Sequence, residues 1–323
     1  MRETGRYVFM LNIRRFTQGA DEPAWVKVLN ASRKGREDWR TATAEEMLLQ
    51  EKERPGFDLE GRFIAELDGT PVGAVHANVE QHREERKGFI RFYVVPESRG
   101  MGIERKLIKL ALRELKARRM TTAQASIDYR EKDYVALLEG LGFQQVRVGS
   151  MMEMDLANVP QGIGEKEQIT IRTLEKNREE DIKLVTSLLN EAFKEHFDFR
   201  PDTVEEIRYF LFSDLFYKKG REIFFAILGN ETVGCIGAGI DEKRDRDSDA
   251  DVGDIFTIGV LKRYRRRGIG ARLMLHALRE FKTKGVTKVT LGVDDYNPTK
   301  AIELYKKVGF RVKKKDLVFA REL

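Results

Sequence analysis

The chain repeats itself at the length of a whole domain. Residues 88–116 lie over residues 254–282 without a gap, at an offset of 166. Ala111-Leu112-Arg113-Glu114-Leu115-Lys116 falls on Ala277-Leu278-Arg279-Glu280-Phe281-Lys282, Val94 on Val260, Arg99 on Arg265 and Gly102 on Gly268. After a one-residue gap, Gly142-Phe143 falls on Gly309-Phe310. Periods of about 20–50 residues build solenoids. A period this long means two copies of one domain, as a length of 323 residues allows.

Both copies give the same order of elements. The first predicts strands near 7–17, 62–68, 71–79, 88–95, 123–129 and 143–156, with helices near 22–34, 43–52, 103–118 and 132–140. The second predicts strands near 168–174, 222–229, 232–240, 253–261, 287–294 and 310–321, with helices near 178–196, 203–213, 269–284 and 298–308. Asp68-Gly69 and Gly229-Asn230 are hairpin cues at equivalent places. Val159-Pro160-Gln161-Gly162-Ile163-Gly164-Glu165 is the best linker, dividing the chain into domains 1–158 and 167–323. The expected class is α/β (α+β), each domain a mixed, mostly antiparallel sheet flanked by helices.

One cysteine, Cys235, excludes a disulfide framework or a cysteine-ligated zinc. No run reaches about 18 apolar residues, so no membrane span is expected. The first residues lack a signal-peptide core, which makes the cytoplasm the expected compartment. A net charge of +6 suits an anionic partner, either nucleic acid or a phosphate-bearing ligand. The densest basic cluster, Lys262-Arg263-Tyr264-Arg265-Arg266-Arg267, is confined to one turn. That favours a compact phosphate ligand over nucleic acid, which would call for basic residues along a face or arm.

The turn Arg265-Arg266-Arg267-Gly268-Ile269-Gly270-Ala271 joins the apolar run Ile255–Leu261 to an amphipathic helix. Such a turn presents backbone N–H groups and the positive end of the helix dipole to an anion. It is no dinucleotide fingerprint, because Leu273 stands where a third glycine belongs, and it lacks the Gly-Lys-Ser/Thr of a P-loop. Downstream stand Asn297, Ala301, Tyr305 and Gly309-Phe310 at four-residue steps. Together these motifs resemble the GNAT superfamily of acyl-CoA-dependent N-acyltransferases, in tandem form. Arg265, Gly268 and Gly270 match that family's phosphate motif.

The resemblance implies acetyl-CoA as co-substrate and an amine as acceptor, a small molecule or a protein N-terminus or lysine. It implies that backbone groups of Ile258, Gly259 and Val260 pair with the pantetheine arm. Arg265, Arg266, Arg267, Gly268, Ile269, Gly270 and Ala271 would hold the pyrophosphate, with arginine side chains reaching the phosphates. Asn297 would contact the cofactor, although Asn297-Pro298 also suits a helix start on physical grounds. Gly259 fits either a close backbone approach or packing relief. Tyr305 would give a proton to the departing thiolate, and Asp254, at the position of the family's glutamate, would act as base through water. The plain alternatives are a core tyrosine and a solvated strand-end carboxylate. Cys235 reads as a buried small residue rather than an acyl carrier.

The copies differ where chemistry is expected. Glu104 stands at the position of Gly270, and a carboxylate beside a pyrophosphate costs on the order of several kcal/mol at ~4 Å in a partly wet site. Leu138 aligns with Tyr305, Tyr134 with Ala301, Arg130 with Asn297 and Gly88 with Asp254. The first domain is therefore expected to keep the scaffold without catalysing. A homodimer is compatible with that spare surface. Phe193, His196, Phe197, Phe199 and Arg200 form an expected acceptor wall. The acidic stretch Asp241–Asp251 would attract a cationic amine or simply stand as a solvated loop. Ala250 and Phe256 replace the glycine and final glutamate of a calcium loop, so no metal is expected. The alternatives are a non-catalytic acyl-CoA-binding module and a tandem small-molecule acetyltransferase acting on an amino-sugar thiol precursor.

Overall fold

The computed structural model describes residues 10–36, 39–160, 168–213, 221–241 and 252–323. The chain forms two compact units. Unit 1 takes residues up to Ser126, Asp133–Gln145 and Phe319–Leu323; unit 2 takes Ile127–Lys132 and Val146–Val318. Most of the linker expected at 159–165, and the acidic stretch from residue 242 onward, lie outside the described residues.

Unit 1 begins with β1 (Leu11–Arg15), α1 (Glu22–Arg33), α2 (Ala44–Glu53), β2 (Arg62–Leu67), β3 (Thr70–Val79) and β4 (Lys87–Val94). It continues with α3 (Ile103–Ala117), β5 (Thr122–Asp128), α4 (Lys132–Glu139) and the start of β6 (Gln144–Asp155). Strands β1 to β4 pair antiparallel in sequence order, and β5 joins β4 in parallel over Lys87–Phe89. Trp25 and Val28 of α1 pack on Ile64 and Ala74 of the sheet. Leu107 of α3 packs so closely on β3 that a Cβ at Gly73 would meet it at 3.0 Å.

Unit 2 repeats the order with β7 (Thr170–Thr173), α5 (Glu179–Phe193), α6 (Val204–Phe212), β8 (Arg221–Leu228), β9 (Glu231–Asp241) and β10 (Val252–Val260). Then come α7 (Ile269–Thr283), β11 (Lys288–Asp294), α8 (Ala301–Val308) and β12 (Arg311–Glu322). Its sheet runs β6-β11-β10-β9-β8-β7. The period-2 alternation of β8 feeds two cores. Phe224 and Ala226 join Leu273, Met274, Leu278 and Phe281 of α7, while Ile223 and Phe225 join Val185 and Leu188 of α5 and Leu211 of α6. Each such side chain contributes roughly 1.5–3 kcal/mol when fully buried.

Expected and observed elements agree closely, with one informative exception. The helix expected from 298 begins at Ala301, after Lys300 at φ 57°. Asn297 does not cap it. Its side-chain oxygen instead accepts from the Thr299 N–H (2.8 Å) and hydroxyl (2.6 Å), closing a local turn. Asparagine commonly makes such turns, and Pro298 leaves no N–H there to cap.

The strand β6 belongs to the first copy by sequence and to unit 2 by pairing. It runs antiparallel to β11, with Ser150 opposite Val293, Met152 opposite Leu291 and Met154 opposite Val289. Met152 and Met154 are fully buried in the α7 core.

Candidate active site

Strand β10 pairs with β11 only over Val252–Ile255, whereas it stays with β9 as far as Val260. A register shift against β9 falls between Ile255 and Thr257, where the pairing with β11 ends. The edge of Ile258–Val260 is therefore open on the β11 side, and open edges present unpaired backbone groups to an extended partner. A Cβ at Gly259 would meet Ala192 at 3.1 Å and Phe193 at 3.3 Å, a tight approach of α5 to the strand.

The strand leads through a short turn into α7. Arg266 and Gly268 both take positive φ, 66° and 86°, a sequence of backbone turns that builds an anion-binding concavity. The first intrahelical bond of α7 runs from the Arg272 N–H to the Gly268 carbonyl (3.1 Å), and no side chain caps the helix. The N–H groups of Ile269, Gly270 and Ala271 are thus the helix-end donors.

A cavity of about 720 Å³ fills this gap. Its lining includes Ile258, Gly259, Val260, Arg265, Arg266, Gly268, Ile269, Gly270, Ala271, Asn297 and Tyr305, so eleven of the thirteen expected site residues converge. Arg267 and Asp254 stand outside that lining. The Arg267 guanidinium lies 5.3 Å from the Tyr264 ring centroid. Asp254 sits on β10 opposite Thr290, whose hydroxyl donates to its carboxylate at 3.2 Å.

Arg265 lines the cavity with its side chain already committed. Its Nε donates to the Val260 carbonyl (3.0 Å) and another guanidinium nitrogen to the Ala192 carbonyl (2.8 Å). Arg99 does the same in unit 1, to Val94 (3.3 Å) and Ser32 (2.8 Å). The arginine shared by the two copies is therefore a brace between strand end and helix end. Arg266 also lines the cavity, as do Lys300 and Lys307.

Tyr305 is 5% exposed, and burial pushes its phenol above the ordinary value. His196 lines the cavity with its ring centroid 4.6 Å from that of Phe193. Burial, with Arg265 nearby, holds its imidazole below the ordinary value against the opposing pull of Asp294 and Glu195. Of the expected acceptor wall, Arg200 is taken by Glu206 (2.7 Å) at the start of α6. Sequence reasoning missed Asp294, which lines the cavity at the end of β11; its only sequence signal is an acidic pair after a strand. Cys235 is fully buried among core residues, its thiol pushed up to about 12, which rules it out as a ready nucleophile.

The equivalent positions of unit 1 carry other side chains with contacts of their own. The Glu104 carboxylate, 4% exposed, accepts from the Gly100 N–H (3.2 Å) across the glycine turn. Tyr134 packs edge-on to Phe92 (5.2 Å) with the Arg99 guanidinium 5.6 Å from its ring centroid.

The family model described as Acetyltransferase (GNAT) family matches residues 25–143 and 185–310. A mycothiol acetyltransferase of Streptomyces coelicolor is 34% identical over 136 residues, which is 41% of this chain and 42% of that protein. The chain thus spans less than half the length of that relative in the match. A mycothiol acetyltransferase of Actinosynnema mirum is 25% identical over 83% of this chain and 86% of its own length. Among solved structures, a GCN5-related N-acetyltransferase from Sphaerobacter thermophilus superposes with TM-score 0.70 at 24% identity, covering 97% of this chain and 95% of that one. A tandem GNAT protein from the clavulanic acid biosynthesis pathway gives TM-score 0.73 at 16% identity, covering 97% and 98%. With the family model matched in both halves of the chain, this protein belongs to the acetyltransferase (GNAT) family.

Proposed function

We propose that the protein is an N-acetyltransferase that moves an acetyl group from acetyl-CoA to a primary amine by direct attack in a ternary complex, with its site in unit 2. The observation that carries this reading is the convergence of an open strand edge, an uncapped helix N-terminus and Tyr305 on one cavity. The residues present fit the co-substrate. The β10 edge offers backbone partners to the amides of a pantetheine arm, the turn 266–271 offers donors to a pyrophosphate, and Arg266 adds a charge.

Bound acetyl-CoA supplies an activated carbonyl and a thiolate leaving group. The chain's part is to align the amine, stabilise the oxyanion and move two protons. The amine nitrogen bonds to the carbonyl carbon, the carbon–sulfur bond breaks, and the Tyr305 hydroxyl gives its proton to the sulfur. A phenol held high by burial stays protonated until that transfer. The amine proton leaves to Asp254 through water. His196 is the alternative acceptor, favoured by its place in the lining and by an imidazole that burial keeps neutral. Asp254→Asn and His196→Gln separate the two, since only loss of the base lowers kcat by about 10²-fold or more. The similarity to mycothiol acetyltransferases supports a small-molecule acceptor.

Unit 1 is the non-catalytic copy in this reading, with Glu104 and Tyr134 standing where phosphate and thioester would lie. Titration calorimetry with acetyl-CoA, followed by thiol release with a panel of amines, tests the whole reading. Tyr305→Phe should bind acetyl-CoA as the wild type does and release thiol at least about 100-fold more slowly. Absence of acetyl-CoA binding would end it.

A further inference from the structure

Arg147, on β6, has no part in the acetyl-transfer chemistry, and its surroundings are unusual. Its guanidinium carbon lies 4.7 Å from the centroid of the Phe197 ring and 5.4 Å from that of Tyr296. Its Nε is buried and without a hydrogen-bond partner. Other arginines of unit 2 are engaged by carboxylates, as Arg172 is by Asp181, Arg200 by Glu206 and Arg208 by Glu179. No carboxylate among the described residues pairs with Arg147. The neighbouring acid, Asp295, is occupied by Lys315 (2.8 Å) and the Ser150 hydroxyl (2.5 Å).

Two rings thus fix the guanidinium and leave its N–H edge unspent. A planar guanidinium stacks well on aromatic faces, is weakly hydrated, and matches a carboxylate or phosphate through its edge. Keeping the Nε–H from water without an acceptor is costly, and that cost is recovered when an anion accepts from the guanidinium edge. The two rings adjoin the cavity lining through their chain neighbours. Phe197 follows His196, and Tyr296 lies between Asp294 and Asn297; those three neighbours line the cavity. Register places Gly149 of β6 opposite Asp294, and the Asp295 N–H donates to the Val148 carbonyl (2.9 Å). Tyr296 is 60% exposed, so its side of the stack opens to solvent.

We propose that Arg147 reads an anionic group on the acceptor, so that the molecule acetylated is a small amine carrying a carboxylate or phosphate. Asp294, within the lining, faces the amine end of such a dipolar ligand while Arg147 takes the other end. This rests on the acetyl-transfer reading, so the test separates the two.

Wild type, Arg147→Met and Arg147→Lys are compared by thiol release with two matched pairs of amines. One pair is glucosamine and glucosamine 6-phosphate; the other is leucinamide and leucine. Calorimetry with acetyl-CoA, and with glucosamine 6-phosphate and leucine added to the protein with and without CoA, runs on the same samples. The expected result is a kcat/KM at least tenfold higher for the anionic member of one pair. That preference disappears in Arg147→Met and is partly kept in Arg147→Lys. Which pair shows it tells phosphate from carboxylate. Equal use of both members by the wild type, or a preference that survives in Arg147→Met, overturns the proposal. So does failure of both anionic amines to bind in an Arg147-dependent way. Arg147-dependent binding of an anionic amine without acetyl-CoA binding would overturn the transferase reading alone.

Discussion

Arg265 shows how far a single residue can be read from sequence. Its match to Arg99 was visible, and so was its place in a phosphate motif. What its guanidinium holds was not, because the Ala192 carbonyl comes from a helix end far back in the chain. We expect Arg265→Met to cost about 1–3 kcal/mol of unfolding free energy, the scale for stranding buried hydrogen-bonding groups, measured by urea denaturation. Histidines give a second test. Burial pushes His76 down to about 3 and holds His276 below its ordinary value. The unfolded chain takes up these protons near pH 6.5, so stability is complete above that pH and falls as pH drops toward the folded value. For a histidine that stays neutral in the fold, the loss between pH 7 and pH 5 is about 2 kcal/mol. The difference in urea stability between those pH values should shrink by about that amount in His76→Gln.

At the scale of elements, the hydrophobic periodicity placed nearly every helix and strand, because each amphipathic face has one core to fill. The helix expected near 203–213 begins at a capping box, in which Thr203 and Glu206 bond reciprocally. Thr203→Ala should lower stability by about 1 kcal/mol, read from the denaturation midpoint. The start of α8 was misjudged because Asn297 has two local uses, and the turn won over the cap. The departure of unit 1 from unit 2 was half legible. Glu104 was seen as an acid at the phosphate turn, while the packing of Tyr134 on Phe92 depends on strand positions no spacing gives. We therefore expect Glu104→Gly alone to create no second acetyl-CoA site by calorimetry, since the Tyr134 ring stays against Phe92.

At the scale of the whole chain, the repeat was legible and the ownership of strands was not. Sequence order assigns β6 to the first copy, yet its residues from Val146 onward belong to unit 2 and pair along β11. Pairing partners are set by which edge a strand meets, which a one-dimensional pattern does not encode. A fragment 167–323 would leave β11 without that neighbour and the α7 core without Met152 and Met154. It should unfold at markedly lower temperature than a fragment 144–323 when followed by circular dichroism. The ownership also explains how Arg147, numbered with the first copy, meets Phe197 and Tyr296 of the second. The most direct measurement is the stoichiometry of acetyl-CoA binding to wild type and Gly270→Glu, which puts into unit 2 the acid that fills the turn of unit 1. We expect one site per chain in the wild type and affinity weakened at least about 100-fold in the variant. Two sites per chain, or binding untouched by Gly270→Glu, would contradict a single co-substrate pocket in unit 2.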